Sequence, residues 1–148
     1  MIVYVIGSLR NPHVPEIAAL IRSVGRCEAF DDWYAAGWEA DDEHVFALDV
    51  FHLNRATAGV LILPAGRLGH LELGYLLGQG KPGYVLAEGP LDWWDITYQF
   101  AEKVFLSRGE MVKYLAEKVR DVALPLCTRE YPIAWQLQLP GMSPSLSR

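Results

Sequence analysis

Basic charge is in short supply in this chain. Thirteen Lys and Arg stand against eighteen Asp and Glu over 148 residues, a formal charge of −5. A protein dedicated to a nucleic-acid polymer usually carries the opposite excess. Cysteine is scarcer still: Cys27 and Cys127 lie far apart with no metal-ligand spacing, which suits a reducing cytosol. The four histidines, His13, His44, His52 and His70, are too few and too scattered for a zinc site. No apolar run approaches the roughly 18 residues needed to span a bilayer. The opening Met1 to Gly7 is apolar but too short, and without a basic leader, for a signal peptide. The expectation is a soluble cytoplasmic protein with no metal, no membrane and no nucleic-acid polymer. There is no internal repeat, no G-x-G-x-x-G run, and no low-complexity segment beyond the Ser/Pro-rich end.

What is present is a globular balance, 51% apolar and 21% charged, in a length that fits one domain with a sizeable core. Ile2 to Ile6 reads as a central strand, apolar on both faces and stopped by Gly7. A helix is predicted from Val14 or Pro15 to about Val24, with Ile17, Leu20, Ile21 and Val24 on one face. Arg26 to Phe30 is a weaker strand. Asp31 to Trp38 has no clean period and reads as a loop carrying two acids and three aromatics. Asp41 to Arg55 is predicted helical, Gly59 to Pro64 a buried strand, and Leu68 to Gly78 a helix. Tyr84 to Ala87 gives a fourth strand after the Gly80-Lys81-Pro82-Gly83 turn. Trp94, Tyr98, Ala101 and Phe105 have helical spacing, and Met111 to Val122 forms a last amphipathic helix. Tyr131 to Leu139 is a candidate short strand, closing a domain of residues 1–139, and 140–148 is read as a loose tail.

Strands alternating with helices predict a single-domain α/β fold, Rossmann-like in the flavodoxin-like sense: a parallel sheet with helices on both faces. Ligands of such sheets bind outside the carboxyl ends of the strands. Here those ends are Gly7 to Asn11, Phe30 to Trp33, Pro64 to Gly69 and Ala87 to Gly89. Two carboxylates adjoin that rim. Glu72 falls near the start of the Leu68 helix, where the positive end of the helix dipole favours an ionised nucleophile or stabiliser. The alternative is a capping-box-like turn closed from Gly69 to Glu72. Asp49 shares the apolar stripe of its helix with Val45 and Leu53, and an inward carboxyl loses hydration and holds its proton longer. The alternative is a slightly rotated helix with Asp49 paired to Arg55. Two carboxyls of different environment at one cleft suit glycosyl chemistry, in which one captures or stabilises an oxocarbenium-like carbon and the other protonates the leaving group. In the Asp31 to Trp38 loop, Asp31 and Trp33 are open to two readings: a surface turn, or a lid that stacks on a flat ligand.

Over roughly residues 1–118 the chain resembles the nucleoside 2-deoxyribosyltransferase family. The resemblance rests on Asp49-Val50-Phe51-His52-Leu53, on Glu72-Leu73-Gly74-Tyr75 two dozen residues later, and on Gly80-Lys81-Pro82. The opening strand with Tyr4 before the Gly7 loop, and Asp95 to Ala101, add to it. It implies Glu72 as the nucleophile that forms a glycosyl-enzyme ester, Asp49 as the residue that helps protonate the departing base, and Tyr4 as a hydrogen-bonding partner that orients Glu72. It implies a nucleoside or nucleotide substrate, no cofactor, and a homodimer or higher homo-oligomer.

The chain departs from the family in its loop before Glu72. Pro64 to Leu71 contains no acid, whereas many transferases carry one there. Arg67 and His70 stand in that loop instead, with Arg10 on the neighbouring rim beside Gly7 and Ser8 and a glycine-bearing helix start at Gly69. Cations at such a helix start suit a phosphate, so a nucleotide or another phosphorylated sugar is favoured over a bare nucleoside, the alternative being that Arg67 is a solvated loop residue. Two other readings are carried. The missing acid fits a non-catalytic nucleotide-binding or sensing module, and a carboxylate at an anomeric carbon also fits cleavage of a dinucleotide at its nicotinamide ribose.

Overall fold

The computed structural model describes residues 1–37, 41–88 and 96–122. The expected strand at Tyr131 to Leu139 and the tail beyond it lie outside the described residues, as do Trp38 and Trp94. Five strands form one parallel sheet: β1 (Ile2–Ile6), β2 (Glu28–Phe30), β3 (Ala58–Ile62), β4 (Gly83–Leu86) and β5 (Lys103–Phe105). Their order is β2-β1-β3-β4-β5, with Tyr4 opposite both Phe30 and Gly59, and Leu61 opposite Val85. This is the flavodoxin-like order, and its topological switch point lies between β1 and β3.

Alternation along the central strands divides the core into two layers. Val3, Val5, Val60, Ile62, Tyr84 and Leu86 face α1 (Val14–Ser23) and α5 (Arg108–Val122), meeting Ile17, Ile21, Met111 and Leu115. Arg108 at the head of α5 reaches Glu16 of α1 at 2.6 Å and also pairs with Glu88. Tyr4, Ile6, Leu61 and Val85 face the other way, toward Leu53 of α3 (Asp42–Arg55) and Leu73 and Leu76 of α4 (Arg67–Gly78). Tyr4 therefore shares its layer with the two helices that carry Asp49 and Glu72. Helix α4 lies very close to the sheet because Gly59 has no side chain. A Cβ there would stand 2.4 Å from Leu76 Cδ1, and both residues are buried.

Three expectations change. The helical spacing from Trp94 to Phe105 does not make a helix: Ile96–Phe100 is a 3-10 turn and Lys103–Phe105 is the fifth strand. The backbone of this segment pairs with β4, Glu102 N–H donating to Gly83 O and Ala87 N–H to Phe105 O. Phe105 enters the α1/α5 layer while Tyr98 enters the other, a split that no single helix face provides. The loop at Asp31 to Trp38 contains a short helix, α2 (Asp32–Ala36). Finally, α4 begins at Arg67 with Gly66 as its N-cap, so Gly69 lies inside the helix, and no acid stands in the first turn. Gly69 acts by close approach instead, since a Cβ would meet Ile6 Cγ2 and Leu61 Cδ1, each at 3.1 Å.

Candidate active site

Three acidic side chains meet on the α3/α4 side of the switch point. Tyr4, 1% exposed, donates its hydroxyl to Asp49 Oδ1 at 2.7 Å. Asp49 is itself buried, on the inner face of α3 as its place on the stripe predicts, and its recorded partner is Tyr4, not Arg55. Arg55 lies over the rings of Phe30 and Phe51, at 5.5 and 5.2 Å. Burial raises the Asp49 carboxyl above its ordinary range, while the Tyr4 bond pulls it back.

Glu72 comes in from α4 and is half-buried. Burial, and then the charge on Asp49, push its carboxyl up to about 8 from an ordinary 4.5. The expected ionising pull of the helix dipole is missing for a geometric reason: Glu72 is the sixth residue of α4, and the dipole acts within the first turn. The Tyr4 hydroxyl is driven upward in turn by burial, by the Glu72 charge and by its bond to Asp49. Tyr4 therefore remains a hydrogen-bond donor, but the bond that the structure records goes to Asp49, whereas the resemblance implied Glu72. The phenol has a single proton, and at 2.7 Å it is directed to Asp49.

The remaining rim residues divide between wall and frame. Trp33 donates its indole N–H to Val5 O at 2.9 Å and packs against both core layers, so it crosses the end of the sheet. Its ring would also stand 3.5 Å from a Cβ at Gly7. Asp31 is held by Arg22 of α1, a frame contact. Ser8 accepts from Arg10 N–H at 3.2 Å within the β1 loop, and the Arg10 side chain is exposed. Arg67 is exposed at the first residue of α4, and His70 Nδ1 lies 2.8 Å from Gly66 O. Sequence reasoning passed over Asn11 and the Asp32–His52 pair. Asn11, 3% exposed, donates to Leu63 O at 3.4 Å and accepts from His13 N–H, tying the two loops across the switch point. Asp32 Oδ2 lies 3.1 Å from His52 Nε2. An Asn after a strand-ending glycine, and a His one turn beyond an inward Asp, were the available signals. Among the described residues no three His, Cys, Asp or Glu side chains are grouped to hold a metal ion.

The site can therefore do acid–base work with two unlike carboxyls over an apolar floor. The architecture around it has known counterparts. The 2-deoxyribosyltransferase of Bacillus psychrosaccharolyticus superposes with a TM-score of 0.65 at 17% identity, over 77% of this chain and 92% of that one. The fold is that of a 2-deoxyribosyltransferase. A CMP N-glycosidase of Clostridium botulinum shares this deoxyribosyltransferase fold with a TM-score of 0.57 at 11% identity, over 80% of this chain and 99% of that one. No protein-family model matches the chain, and no curated protein matches it by sequence. No helix among the described residues is long and apolar enough to cross a membrane.

Proposed function

We propose that this chain cleaves or transfers the N-glycosidic bond of a nucleoside or nucleoside 5′-monophosphate. The observation that carries the reading is the buried group Tyr4–Asp49–Glu72 beside the switch point, on a fold shared with a deoxyribosyltransferase and a nucleotide N-glycosidase. In this mechanism Glu72 attacks the anomeric carbon, the bond from carbon to base nitrogen breaks, and Asp49 delivers a proton to the base as it leaves. A second base or a water then attacks the same carbon and releases Glu72. The step needs one carboxylate and one carboxylic acid, which is one proton for the pair. Tyr4 stabilises the Asp49 anion, while burial and the Asp49 charge raise the Glu72 carboxyl. The reaction therefore requires the proton to stand on Asp49 when substrate is bound. Arg67 and Arg10 on the rim are assigned to a 5′-phosphate, with the exposed start of α4.

The same helices present Phe46, Phe51, Leu68, Leu71 and Tyr75 outward, 44% to 71% exposed. Large apolar side chains left exposed on two adjoining helices support a homo-oligomer.

The test is a panel of nucleosides and their 5′-monophosphates, with free base followed by chromatography, with and without an acceptor base. Release that is lost in Glu72→Ala establishes the chemistry, and acceptor dependence makes the protein a transferase. Ligand binding without release from any member overturns the reading in favour of a nucleotide-binding module.

A further inference from the structure

Helix α3 carries Asp49, yet its apolar side chains are mostly half-buried or exposed, Val45, Leu48 and Val50 being half-buried. Among its apolar side chains only Leu53 is buried, while Phe46 and Phe51 are 68% and 53% exposed. Its other two buried side chains are polar, Asp49 and His52. The place of the helix is therefore set largely by directed contacts. At its C-terminal end Lys81 Nζ donates to Leu53 O and Asn54 O at 2.8 and 2.9 Å, and Tyr75 donates its hydroxyl to Asn54 Oδ1 at 2.9 Å. On its inner face stand the Tyr4–Asp49 bond and the Asp32–His52 pair.

His52 lies one turn beyond Asp49 and on the same side of the helix. Phe30 of β2 packs on its ring at 4.3 Å and Phe51 at 5.3 Å. Nε2 lies 3.1 Å from Asp32 Oδ2, and Nδ1 is fully buried with no hydrogen-bond partner among the described residues. A stranded N–H costs more than a stranded lone pair beside two rings. The proton is therefore assigned to Nε2, which faces Asp32 at 3.1 Å, and Nδ1 keeps its lone pair. Asp32 opens α2, whose next residue is Trp33, held by Val5 O across the end of β1.

We propose that His52 is a positioning residue of the site, whose Nε2–H, bonded to Asp32, pins α2 to α3 and so fixes Trp33 and Asp49 relative to each other. This rests on the glycosidic reading only for its effect on turnover. A directed donor, and not ring bulk, is what the link requires. The side-chain amide of Gln places an N–H near the position of Nε2, while Phe keeps only the shape.

The test compares His52→Gln, His52→Phe, Asp32→Ala and the double variant His52→Phe/Asp32→Ala. Two readouts are taken: kcat/KM for base release, and hydrogen exchange of the Trp33 indole N–H, whose resonance Trp33→Phe assigns. His52→Phe and Asp32→Ala each are expected to lower kcat/KM about tenfold or more, the scale on which misplaced catalytic groups act. Each also speeds indole exchange. The double variant matches the worse single one, because both remove one link, and His52→Gln returns to within about threefold of the parent. Single effects that add in the double variant, or Phe serving as well as Gln, overturn the proposal. If the parent releases no base from any substrate, the glycosidic reading falls and the exchange cycle alone decides this one.

Discussion

Burial and the neighbouring Asp49 charge raise the Glu72 carboxyl to about 8, and two measurements follow from that shift. The folded protein holds the Glu72 proton up to about pH 8, whereas the unfolded chain releases it near 4.5. Between those values the unfolded state binds fewer protons than the native one, so this residue's contribution to stability is lost as pH rises through the window. Glu72→Gln removes the titration. Its melting temperature is expected to gain on the parent's progressively from about pH 4.5 to about pH 8, and to hold a constant advantage above that. A constant difference across the whole range would show that the carboxyl is not raised. The second measurement concerns catalysis. If the one-proton pair is the active form, kcat/KM falls as the last proton leaves, with an alkaline limb at about 8. A rate that climbs through pH 8 would exclude Asp49 as the acid.

Tyr4→Phe tests the third member. Its hydroxyl is the one recorded bond to Asp49, and that bond lowers the Asp49 carboxyl. Without it the Asp49 titration, followed by carbonyl NMR, is expected to move upward, and base release to slow. An unmoved Asp49 would mean that the bond is not formed in solution. At this scale the sequence was informative where a residue's placement depends on its own helix. The inward position of Asp49 was legible from its stripe. The strand, glycine turn and helix before Glu72 fitted a capping turn as well, and the structure removes that turn by placing Gly69 inside α4. Asn11, Asp32 and His52 were not legible, because each acts on a partner from another loop or helix, and nothing local shows which loops meet. Tyr4 became a candidate only through the family resemblance.

At the scale of elements, the long periodic ones were readable: β1, β3 and β4 as apolar runs, and α1, α3, α4 and α5 as helices. Of the short ones, β2 was readable as a weak strand, and β5 and α2 were not. Strand β5 has three residues and α2 has five, too few to show a period, and both depend on pairing or packing. Helix α4 gives the prediction that belongs here. Adding one methyl at Gly59 places it 2.4 Å from Leu76 Cδ1 and 3.3 Å from Ile6 Cδ1, inside a filled layer. Overpacking of this kind costs about 1–3 kcal/mol. Denaturant unfolding of Gly59→Ala should show a loss in that range, and base release should fall as Glu72 shifts with its helix. A loss below about 0.5 kcal/mol, ordinary for a surface change, would mean that α4 is free to lift.

For the whole molecule, the order of strands places the site at the crossing from β1 to β3, and the outer faces of the same two helices form its apolar back. Leu71, 71% exposed, adjoins Glu72 in the chain. If copies meet on that face, Leu71→Glu reduces the mass measured by light scattering to that of one chain and lowers activity with it. An unchanged mass, or a monomeric parent, would remove the surface from consideration.

The two carboxyls sit on helices that follow one another in the chain, with only β3 between them. Everything from Asp42 to Gly78 is thus one continuous stretch, which carries the proposed acid and the proposed nucleophile on either side of a short tether. Tyr4 is its single outside tie within the reacting group. The segments that bear Trp33, Arg10 and β5 belong to other stretches of gene. If the proposed reaction holds, substrate preference can change through substitutions in those stretches while the Asp49–Glu72 pair stays intact within its own continuous segment.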